Sequence, residues 1–280
     1  MARYGIYANL TKDKDLSYTK QVISALQAKG LLYFLDEELF GQLPGALLTA
    51  ETEIDVLIVL GGDGTMLAAA RKYGKSGALL FGLNLGRLGF LLDSDIAELS
   101  ESLACIEAGA YEVQERVMLE AQIISEAEEV VFSGYALNEA VVSQRNMMRV
   151  IDLEAYVDGE YAYRIRSDGL IVSTPSGSTA YSLSAGGPVV FPTVDVLLMT
   201  PLCAHSLQSN TFVIPGEAEV VIRPVARVRG AALTLDGQDS IEMASSSYVK
   251  IQKTPFKVKF LKTTTKSFYT LLQEKLSEWR

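Results

Sequence analysis

Residues 54–70 read IDVLIVLGGDGTMLAAA, and the order of residue types in this stretch decides the fold class. Its apolar first part, Ile54 to Leu60, is typical of a strand that is covered on both faces of a sheet. Beyond the glycines, apolar residues recur at helical spacing from Met66 to Tyr73, which predicts a helix. A buried strand that turns directly into a helix predicts an open, mostly parallel α/β sheet.

The glycine-rich turn Gly61-Gly62-Asp63-Gly64-Thr65 is the first candidate site. In open α/β sheets, ligands bind at the carboxyl ends of strands, often at the N-terminus of the next helix. Glycines let the backbone approach a phosphate and point N–H groups at it, and Asp63 would then stand where a metal ligand or a general base is needed. The alternative is an Asp-Gly hairpin turn, which needs a returning strand and not a helix. The spacing of a Walker loop is absent.

The segments around this turn alternate between strand-like and helix-like patterns through the first hundred residues. The predicted strands are Tyr4–Asn9, Leu31–Leu35, Ile54–Leu60 and Ala78–Leu83, and the predicted helices are Leu16–Lys29, the segment after Thr65, and Ile96–Ala108. This alternation extends the parallel α/β sheet on both sides of the glycine turn.

The pattern changes to β-rich after Gly109. The predicted strands are Tyr111–Ile124, Val130–Val142, Val150–Val157, Tyr161–Arg166, Val196–Met199, Phe212–Ile214, Val220–Arg223 and Ala231–Leu235. Asp158-Gly159 between two of them is a hairpin signal, so this half should be largely antiparallel. The segment Ser267–Trp279 returns to helical spacing. We therefore predict an α/β nucleotide-binding domain of residues 1–109 with a C-terminal helix at about 266–280, and a β-rich domain of residues 110–265.

Composition narrows the classes of function. Of the 280 residues, 49% are hydrophobic and 21% are charged, as in folded globular proteins. The net charge of −9 disfavours a nucleic-acid partner, because phosphate neutralisation needs a basic surface. No apolar run reaches the roughly 18 residues that span a bilayer, and the N-terminus lacks a signal-peptide layout. We expect a cytoplasmic protein with no membrane or nucleic-acid partner.

Histidine and cysteine are too scarce for most metal or redox sites. His205 is the only histidine, and Cys105 and Cys203 are far apart in the sequence, so a divalent metal would rely mainly on oxygen ligands. A Ser-His-Asp triad that uses His205 is conceivable, but no Gly-x-Ser-x-Gly elbow precedes a helix. A hydrogen-bonded structural histidine is the better interpretation.

Two further motifs place polar groups among apolar residues. Asn138-Glu139 interrupts the predicted strand Val130–Val142, and alternation turns one of the pair toward the core, where it needs a partner from a ligand or from a neighbouring loop. In the segment Ser173–Ser184, eight of twelve residues carry a hydroxyl group. Such a segment suits sugar hydroxyls, amides and phosphates, with Tyr181 as a stacking surface, although a Ser/Thr-rich surface linker is the alternative.

Taken in order, these motifs resemble the NAD kinase family over nearly the whole chain. The resemblance rests on five motifs: Gly61-Gly62-Asp63-Gly64-Thr65, Asn84-Leu85-Gly86-Arg87-Leu88-Gly89-Phe90-Leu91, Asn138-Glu139, the segment Asp168–Gly187, and Asp236-Gly237-Gln238. The first is shared with diacylglycerol, sphingosine and phosphofructokinase-type kinases, so it points to phosphoryl transfer only. The long hydroxyl-rich segment is far more specific to NAD kinases.

The resemblance implies a two-domain fold with the active site in the cleft between an α/β domain and a β-rich domain that binds NAD. It implies ATP-dependent phosphorylation of the adenosine-ribose 2′-hydroxyl of NAD to give NADP, with magnesium as the divalent metal, and a homodimer or homotetramer with the NAD site partly across a subunit interface. Asp63 would be the catalytic base, and the other four residues of the glycine turn, Gly61, Gly62, Gly64 and Thr65, would hold ATP phosphates. The implied contacts of NAD are Asp63, Gly64, Phe81, Asn138, Glu139, Arg166, Asp168, Ser176, Thr179, Ala180, Tyr181, Ser184 and Gln238.

Two rival interpretations stay open at the level of sequence. A lipid or sugar kinase could share only the glycine turn, although the hydroxyl-rich segment argues against it. A non-catalytic NADP(H)-binding sensor could share the rest, although the presence of Asp63 argues against that. The choice between them depends on the substrate that is phosphorylated.

Overall fold

The computed structural model describes residues 2–49, 51–86, 89–92, 94–145, 150–205, 210–225, 230–264 and 267–278. The chain divides into two compact units. The first unit is Met1–Glu115 with Lys257–Arg280, and the second unit is Arg116–Phe256. The last residues of the chain therefore return to the unit that its first residues form.

The first unit contains a parallel sheet, as the alternating pattern predicts. Its strands are β1 (Arg3–Ala8), β2 (Leu32–Leu35), β3 (Ala46–Leu47), β4 (Val56–Gly61), β5 (Leu79–Asn84) and β6 (Ser94–Asp95). The order across the sheet is β5-β4-β1-β2-β3, every pair is parallel, and β6 pairs with β5. The helices of this unit are α1 (Ser17–Ala28), α2 (Asp63–Tyr73), α3 (Leu99–Glu107) and α5 (Phe268–Glu278).

The core of the first unit follows from the two periodicities in the sequence. Every residue of β4 is buried, which explains its unbroken apolar run. Helix α1 buries Val22, Ile23 and Leu26, which lie on one face, against the sheet core that includes Ile6 and Ile58. Each fully buried aliphatic side chain contributes about 1.5–3 kcal/mol through the removal of apolar surface from water.

The second unit is built from antiparallel strands. They are β7 (Glu112–Ile124, which starts in the first unit), β8 (Val130–Ala136), β9 (Glu139–Gln144), β10 (Ile151–Val157), β11 (Glu160–Ser167), β12 (Gly169–Ser173), β13 (Val196–Leu202), β14 (Phe212–Pro215), β15 (Val220–Pro224), β16 (Ala231–Leu235), β17 (Asp239–Glu242) and β18 (Tyr248–Lys262, which ends in the first unit). One sheet has the order β14-β13-β12-β9-β16-β17, and the strands β11-β10-β15-β18 form a second layer. A core from both layers, which includes Leu153, Val172 and Leu233, lies in this unit.

The hairpin predicted at Asp158-Gly159 is present between β10 and β11. Asp158 has φ 50° and Gly159 has φ 81°, so both residues of the turn lie in the left-handed region, as a tight hairpin of this kind requires. Asp158 also accepts a hydrogen bond from the Glu219 N–H at 2.9 Å. This second bond ties the turn to the start of β15.

The predicted strand Val130–Val142 is wrong in one respect, because it is two strands. β8 ends at Ala136 and β9 begins at Glu139, with a break at Leu137 and Asn138. The carboxylate of Asp236 accepts hydrogen bonds from the backbone N–H groups at this break and so takes the place of a neighbouring strand. No residue near the break in the sequence indicates that the strand ends there, because Asp236 lies almost a hundred residues away.

The hydroxyl-rich segment is more regular than a loop. Its first residue, Ser173, ends the fully buried strand β12, and the segment continues through a short 3₁₀ turn, Ser176–Thr179, into the single helical turn α4 (Tyr181–Ser184). Within the described part of the chain, no helix is both long and apolar enough to cross a membrane.

Candidate functional site

The glycine turn that joins β4 to α2 is tightly packed and leaves no room for a side chain at Gly61. A Cβ atom on Gly61 would lie 2.2 Å from the Thr65 Oγ1 atom, so the turn closes only with glycine at that position. The Gly62 N–H donates to the Thr65 Oγ1 atom at 3.3 Å, which satisfies a donor at the start of α2. The helix that follows rules out the hairpin alternative, and the turn lies at the carboxyl end of a parallel strand, where ligands bind in such sheets.

Asp63, the first residue of α2, is held by the backbone of a second motif. Its Oδ2 atom accepts a hydrogen bond from the Phe90 N–H at 2.8 Å, and its Oδ1 atom accepts one from the Leu91 N–H at 3.1 Å. A Cβ atom on Gly89 would lie 1.8 Å from Oδ1, so this approach also needs glycine. A carboxylate has about four acceptor positions, and these two bonds leave others for a substrate hydroxyl.

Asn9 connects the glycine turn to the end of β1. Its Nδ2 atom donates to the Thr65 Oγ1 atom at 3.2 Å, and its Oδ1 atom accepts from the Thr11 N–H at 2.9 Å. The sequence interpretation missed this residue, because a single Asn after a strand is too common to be a signal. Asn9 fixes the position of the chain that follows β1 relative to the start of α2.

Asn138 and Glu139 are oriented by Asp236 in the second unit. The Asp236 Oδ1 atom accepts from the Asn138 N–H at 2.8 Å and from the Glu139 N–H at 3.2 Å, while Oδ2 accepts from the Leu137 N–H at 3.1 Å. Asp236 belongs to the tight turn between β16 and β17, where its φ is 49°. This explains the Asp-Gly part of the Asp236-Gly237-Gln238 motif, because the aspartate supports the residues that resemble ligand contacts.

Several buried polar side-chain atoms near the break between β8 and β9 have no hydrogen-bond partner in the described part of the chain. Among the described residues, the Asn138 Oδ1, Glu139 Oε2 and Ser176 Oγ atoms are buried without a hydrogen-bond partner. Buried polar atoms of native proteins nearly always have a partner, from the protein, from water or from a ligand. Three such atoms in residues predicted to contact a ligand are the strongest indication of a binding site in this unit.

The Glu139 carboxyl group is in an unusual electrostatic environment. Glu139 is only 5% exposed, and burial raises the pKa of its carboxyl group to about 8, with a further contribution from repulsion by the Asp236 carboxylate. A hydrogen bond from the Tyr181 N–H acts in the opposite direction and lowers this pKa. Glu139 is therefore largely protonated near neutral pH, and it can donate a hydrogen bond as well as accept one.

Tyr181 lies beside Glu139, and the Asp168 carboxylate in turn interacts with Tyr181. The Tyr181 ring is 47% exposed, and burial of the rest, together with the negative charges of Asp168 and Glu139, raises the pKa of its hydroxyl group. The Cys203 thiol hydrogen-bonds to the Asp168 carboxylate, which raises the pKa of that thiol. The Asp168 N–H donates to the Leu202 carbonyl oxygen at 2.9 Å, so the backbone that carries this carboxylate is fixed to β13.

Two protein-family models match this chain, one over the residues around Asp63 and one over the residues around Asn138 and Glu139. Residues 5–111 match the model of the ATP-NAD kinase N-terminal domain, and residues 137–263 match that of the ATP-NAD kinase C-terminal domain. The chain belongs to the NAD kinase family. This confirms the resemblance drawn from the motifs and, with it, the prediction of an enzyme that transfers a phosphoryl group to an alcohol.

Full-length relatives support the same assignment. The NAD kinase of Desulforamulus reducens is 38% identical over 100% of this chain and 99% of its own length. The NAD kinase of Caldanaerobacter subterraneus is 36% identical over 99% of this chain and 100% of its own. The match therefore covers both units of this NAD kinase family member.

Solved structures of NAD kinases have the same fold. An NAD kinase from Archaeoglobus fulgidus in complex with ATP matches with a TM-score of 0.77 at 28% identity, over 98% of this chain and 99% of that one. A yeast NADH kinase complexed with NADH matches with a TM-score of 0.86 at 23% identity, over 99% of this chain and 88% of that one. The expected fold class, an α/β domain followed by a β-rich domain, is confirmed.

Most of the remaining predicted contacts lie at the surface of the second unit, near the hydroxyl-rich segment. Arg166 and Ser184 are exposed, and Thr179 and Ala180 are half-buried beside Tyr181. The Thr179 Oγ1 atom donates to the Ser176 carbonyl oxygen at 3.3 Å, which closes the 3₁₀ turn. Gln238 ends the turn that carries Asp236, where its N–H donates to the Leu235 carbonyl oxygen at 2.9 Å.

The structure gives the surroundings of two further residues that were singled out from the sequence. Phe81 has no exposed surface and packs in the core of the first unit beside Leu83, and its contact with NAD stays a prediction. The prediction of a structural His205 is right only for its backbone, whose N–H donates to the Arg166 carbonyl oxygen at 2.9 Å. The His205 side chain is exposed.

The residues present suit a magnesium ion that arrives with a nucleotide. Among the described residues, no group of three or more His, Cys, Asp or Glu side chains could hold a metal ion. Magnesium is commonly bound through one or two carboxylates together with substrate phosphates. The described residues therefore fit a magnesium ion that the phosphates of ATP bring to the glycine turn better than a metal held by the protein alone.

Proposed function

We propose that this chain phosphorylates the adenosine-ribose 2′-hydroxyl of NAD with ATP as donor, and that Asp63 is the catalytic base. The observation that carries the proposal is the Asp63 carboxylate, held by the Phe90 and Leu91 N–H groups at the end of a parallel strand next to a turn that requires glycine. A ribose hydroxyl is a poor nucleophile at neutral pH. A positioned carboxylate that takes its proton typically contributes about 10²–10⁴-fold to the rate.

The chemistry needs few groups. The ribose oxygen forms a bond to the γ-phosphorus of ATP, the bond from that phosphorus to ADP breaks, and the hydroxyl proton passes to Asp63. The ATP phosphates lie at the glycine turn that begins α2, where the partial positive charge of a helix N-terminus attracts anions. When bound, magnesium neutralises charge on the transferred phosphoryl group.

The residues of the second unit select NAD in this proposal. The Asn138 Oδ1 and Glu139 Oε2 atoms bind the adenosine, and neutral Glu139 can donate to a ring nitrogen or a ribose oxygen. The exposed Tyr181 ring offers a face for stacking, and Asp168 and Ser176 supply acceptors nearby. In the proposed reaction, the 2′-hydroxyl of this NAD molecule is the group from which Asp63 takes the proton.

Assembly and location extend the proposal. We propose a homodimer or homotetramer in which the NAD site lies partly across a subunit interface, as the family resemblance implies. The enzyme would act in the cytoplasm with magnesium as its metal. Size-exclusion chromatography with light scattering would measure the oligomeric state, and a monomer at high concentration would contradict this part alone.

The decisive experiment is a substrate test. Purified protein with ATP, magnesium and NAD should form NADP, and EDTA should stop the reaction. Mass spectrometry with authentic 2′- and 3′-phosphate standards identifies the product. Phosphate on the 3′-hydroxyl would contradict the assignment, and so would phosphorylation of a lipid or sugar while NAD is left unchanged.

A further inference from the structure

Lys12 lies directly over the glycine turn. Its Nζ atom is 2.6 Å from the point that a Cβ atom on Gly62 would occupy, and 4.0 Å from the corresponding point on Gly86. The ammonium group therefore occupies the space that two glycines leave open. The sequence motifs did not single out Lys12, because it lies some fifty residues before the turn.

The turn that carries Lys12 is fixed to the site. The Lys12 N–H donates to the Asn9 carbonyl oxygen at 3.0 Å and to the Asn9 Oδ1 atom at 3.2 Å. The Asn9 Nδ2 atom donates to the Thr65 Oγ1 atom at 3.2 Å, and that oxygen also accepts from the Gly62 N–H at 3.3 Å. One chain of hydrogen bonds thus connects the backbone of Lys12 with the backbone of the glycine turn.

The charges around the Lys12 ammonium group favour the binding of an anion. In the described ranges of the chain, no carboxylate forms an ion pair with Lys12. The nearest acidic residue of the turn, Asp63, accepts hydrogen bonds from the Phe90 and Leu91 N–H groups instead. The start of α2 carries partial positive charge, so the ammonium group and the helix both attract a negative ligand.

We propose that Lys12 binds the phosphate chain of ATP at this turn. The inference rests on the proposed function, because it assigns Lys12 to the phosphoryl donor of that reaction. Lysine binds phosphate as a mobile point charge, and a charge-assisted bond to a phosphate oxygen is stronger than a neutral one. Lys12 would thus supply the positive charge that a chain of net charge −9 needs locally in order to hold a polyanion.

The test compares Lys12→Met with Lys14→Met. Both variants remove one exposed lysine from the same short segment, so they change the net charge equally. Isothermal calorimetry would measure the affinity for ATP with magnesium and, separately, for NAD, and thermal melts would show that both variants fold. Lys12→Arg serves as the conservative variant.

We expect Lys12→Met to weaken ATP binding roughly ten- to hundredfold, the usual scale for one charge-assisted hydrogen bond. NAD affinity should stay within about twofold of the parent, Lys14→Met should bind ATP as the parent does, and Lys12→Arg should recover most of the loss. Unchanged ATP affinity in Lys12→Met would overturn the inference, as would an equal loss in Lys14→Met or a loss confined to NAD. These binding results do not depend on turnover, so a parent that binds ATP but forms no NADP would overturn the proposed function alone.

Discussion

At the scale of single residues, the position of Asp63 separates catalysis from binding. The Asp63 carboxylate is placed to act as the ribose hydroxyl attacks, so Asp63→Asn should lower kcat by about 10²–10⁴-fold with little change in NAD affinity. A contact of Asn138 with the adenosine exists before and during the reaction, so Asn138→Ala should raise the KM for NAD by roughly ten- to hundredfold and change kcat less. Steady-state kinetics of both variants would test this.

Both variants need to melt like the parent before their kinetics are compared. An amide at position 63 keeps one acceptor oxygen but turns its NH₂ group toward one of the two backbone donors, Phe90 or Leu91. An Asp63→Asn enzyme with near-normal turnover would show that the base is elsewhere. Glu139 would then be the next candidate.

The buried carboxyl group of Glu139 predicts a specific pH dependence of stability. Its pKa rises from the ordinary value of 4.5 to about 8 in the folded protein, so the folded state holds a proton that the unfolded state releases between these values. The stabilisation is fully present below the unfolded pKa and is lost as pH rises through the folded pKa, by up to about 1.4 kcal/mol per pH unit. Glu139→Gln lacks this proton and should lack the dependence.

The measurement is the free energy of unfolding in urea for the parent and for Glu139→Gln, from about pH 5 to about pH 8. The parent should lose stability relative to the variant as pH rises. The charged group that faces Glu139 is the Asp236 carboxylate, and the Tyr181 N–H is its hydrogen-bond donor. A difference between the two proteins that does not change with pH would contradict the prediction.

At the scale of elements, the break between β8 and β9 depends on the turn after β16. An amide at position 236 has one acceptor oxygen, so it cannot serve all three N–H groups from Leu137 to Glu139. Asp236→Asn should lower stability by about 1–3 kcal/mol, because a buried donor loses its partner. It should also raise the KM for NAD, because the break that carries Asn138 is then held by fewer hydrogen bonds.

A control and a second readout show whether the effect is local. Glu242→Gln removes one charge from the same hairpin, where Glu242 pairs with Arg145 at the surface, and it should change stability by less than about 1 kcal/mol. Asp236→Asn also removes a repulsion from Glu139, so it should weaken the pH dependence described above. Equal effects of the two variants on NAD binding would argue against a specific role of Asp236.

Some of the strands and helices could be predicted from the sequence, and others could not. The strands and helices of the first unit repeat with local periods, so β4, α2 and their neighbours could be predicted within a few residues. The break after β8 could not, because its cause is the distant residue Asp236. β12 was not among the predicted strands: it directly precedes the hydroxyl-rich segment, and its last residue, Ser173, is polar but buried.

The same limit applies to the candidate site. Asp63 and Asn138 stand in motifs whose residue types suggest chemistry, so the sequence could point to them. Lys12 and Asn9 could not be found in this way, because only the folded backbone brings them to the glycine turn. The burial of Phe81 could not be predicted either, because the sequence of a strand does not show which of its residues the neighbouring elements cover.

At the scale of the whole molecule, the long strand β18 belongs to the second unit in its first part and to the first unit in its last part. Phe260 is buried, and its backbone pairs with Leu80 in the first unit, whereas the Phe256 ring packs against Tyr135 of the second unit at a centroid distance of 5.4 Å. Phe260→Ala should cost about 3–5 kcal/mol. It should reduce amide protection mainly in β4 and β5.

Phe256→Ala is the matched variant, four residues earlier in the same strand. It should cost less, because Phe256 is only partly buried, and it should reduce protection mainly around β8. Hydrogen exchange measured by mass spectrometry would locate both effects. A similar loss of protection in both units for both variants would show that the molecule unfolds as a single cooperative body.

The division of the chain also has a consequence for its synthesis on the ribosome. Residues 257–280 belong to the first unit but leave the ribosome only after every residue of the second unit has been made. Domains commonly fold in the order of their synthesis. Here the unit that emerges first lacks the strand that pairs with Leu79 and Leu80 of β5, while the later unit already has its full sequence. A nascent chain would therefore depend most on chaperones for the half that carries Asp63.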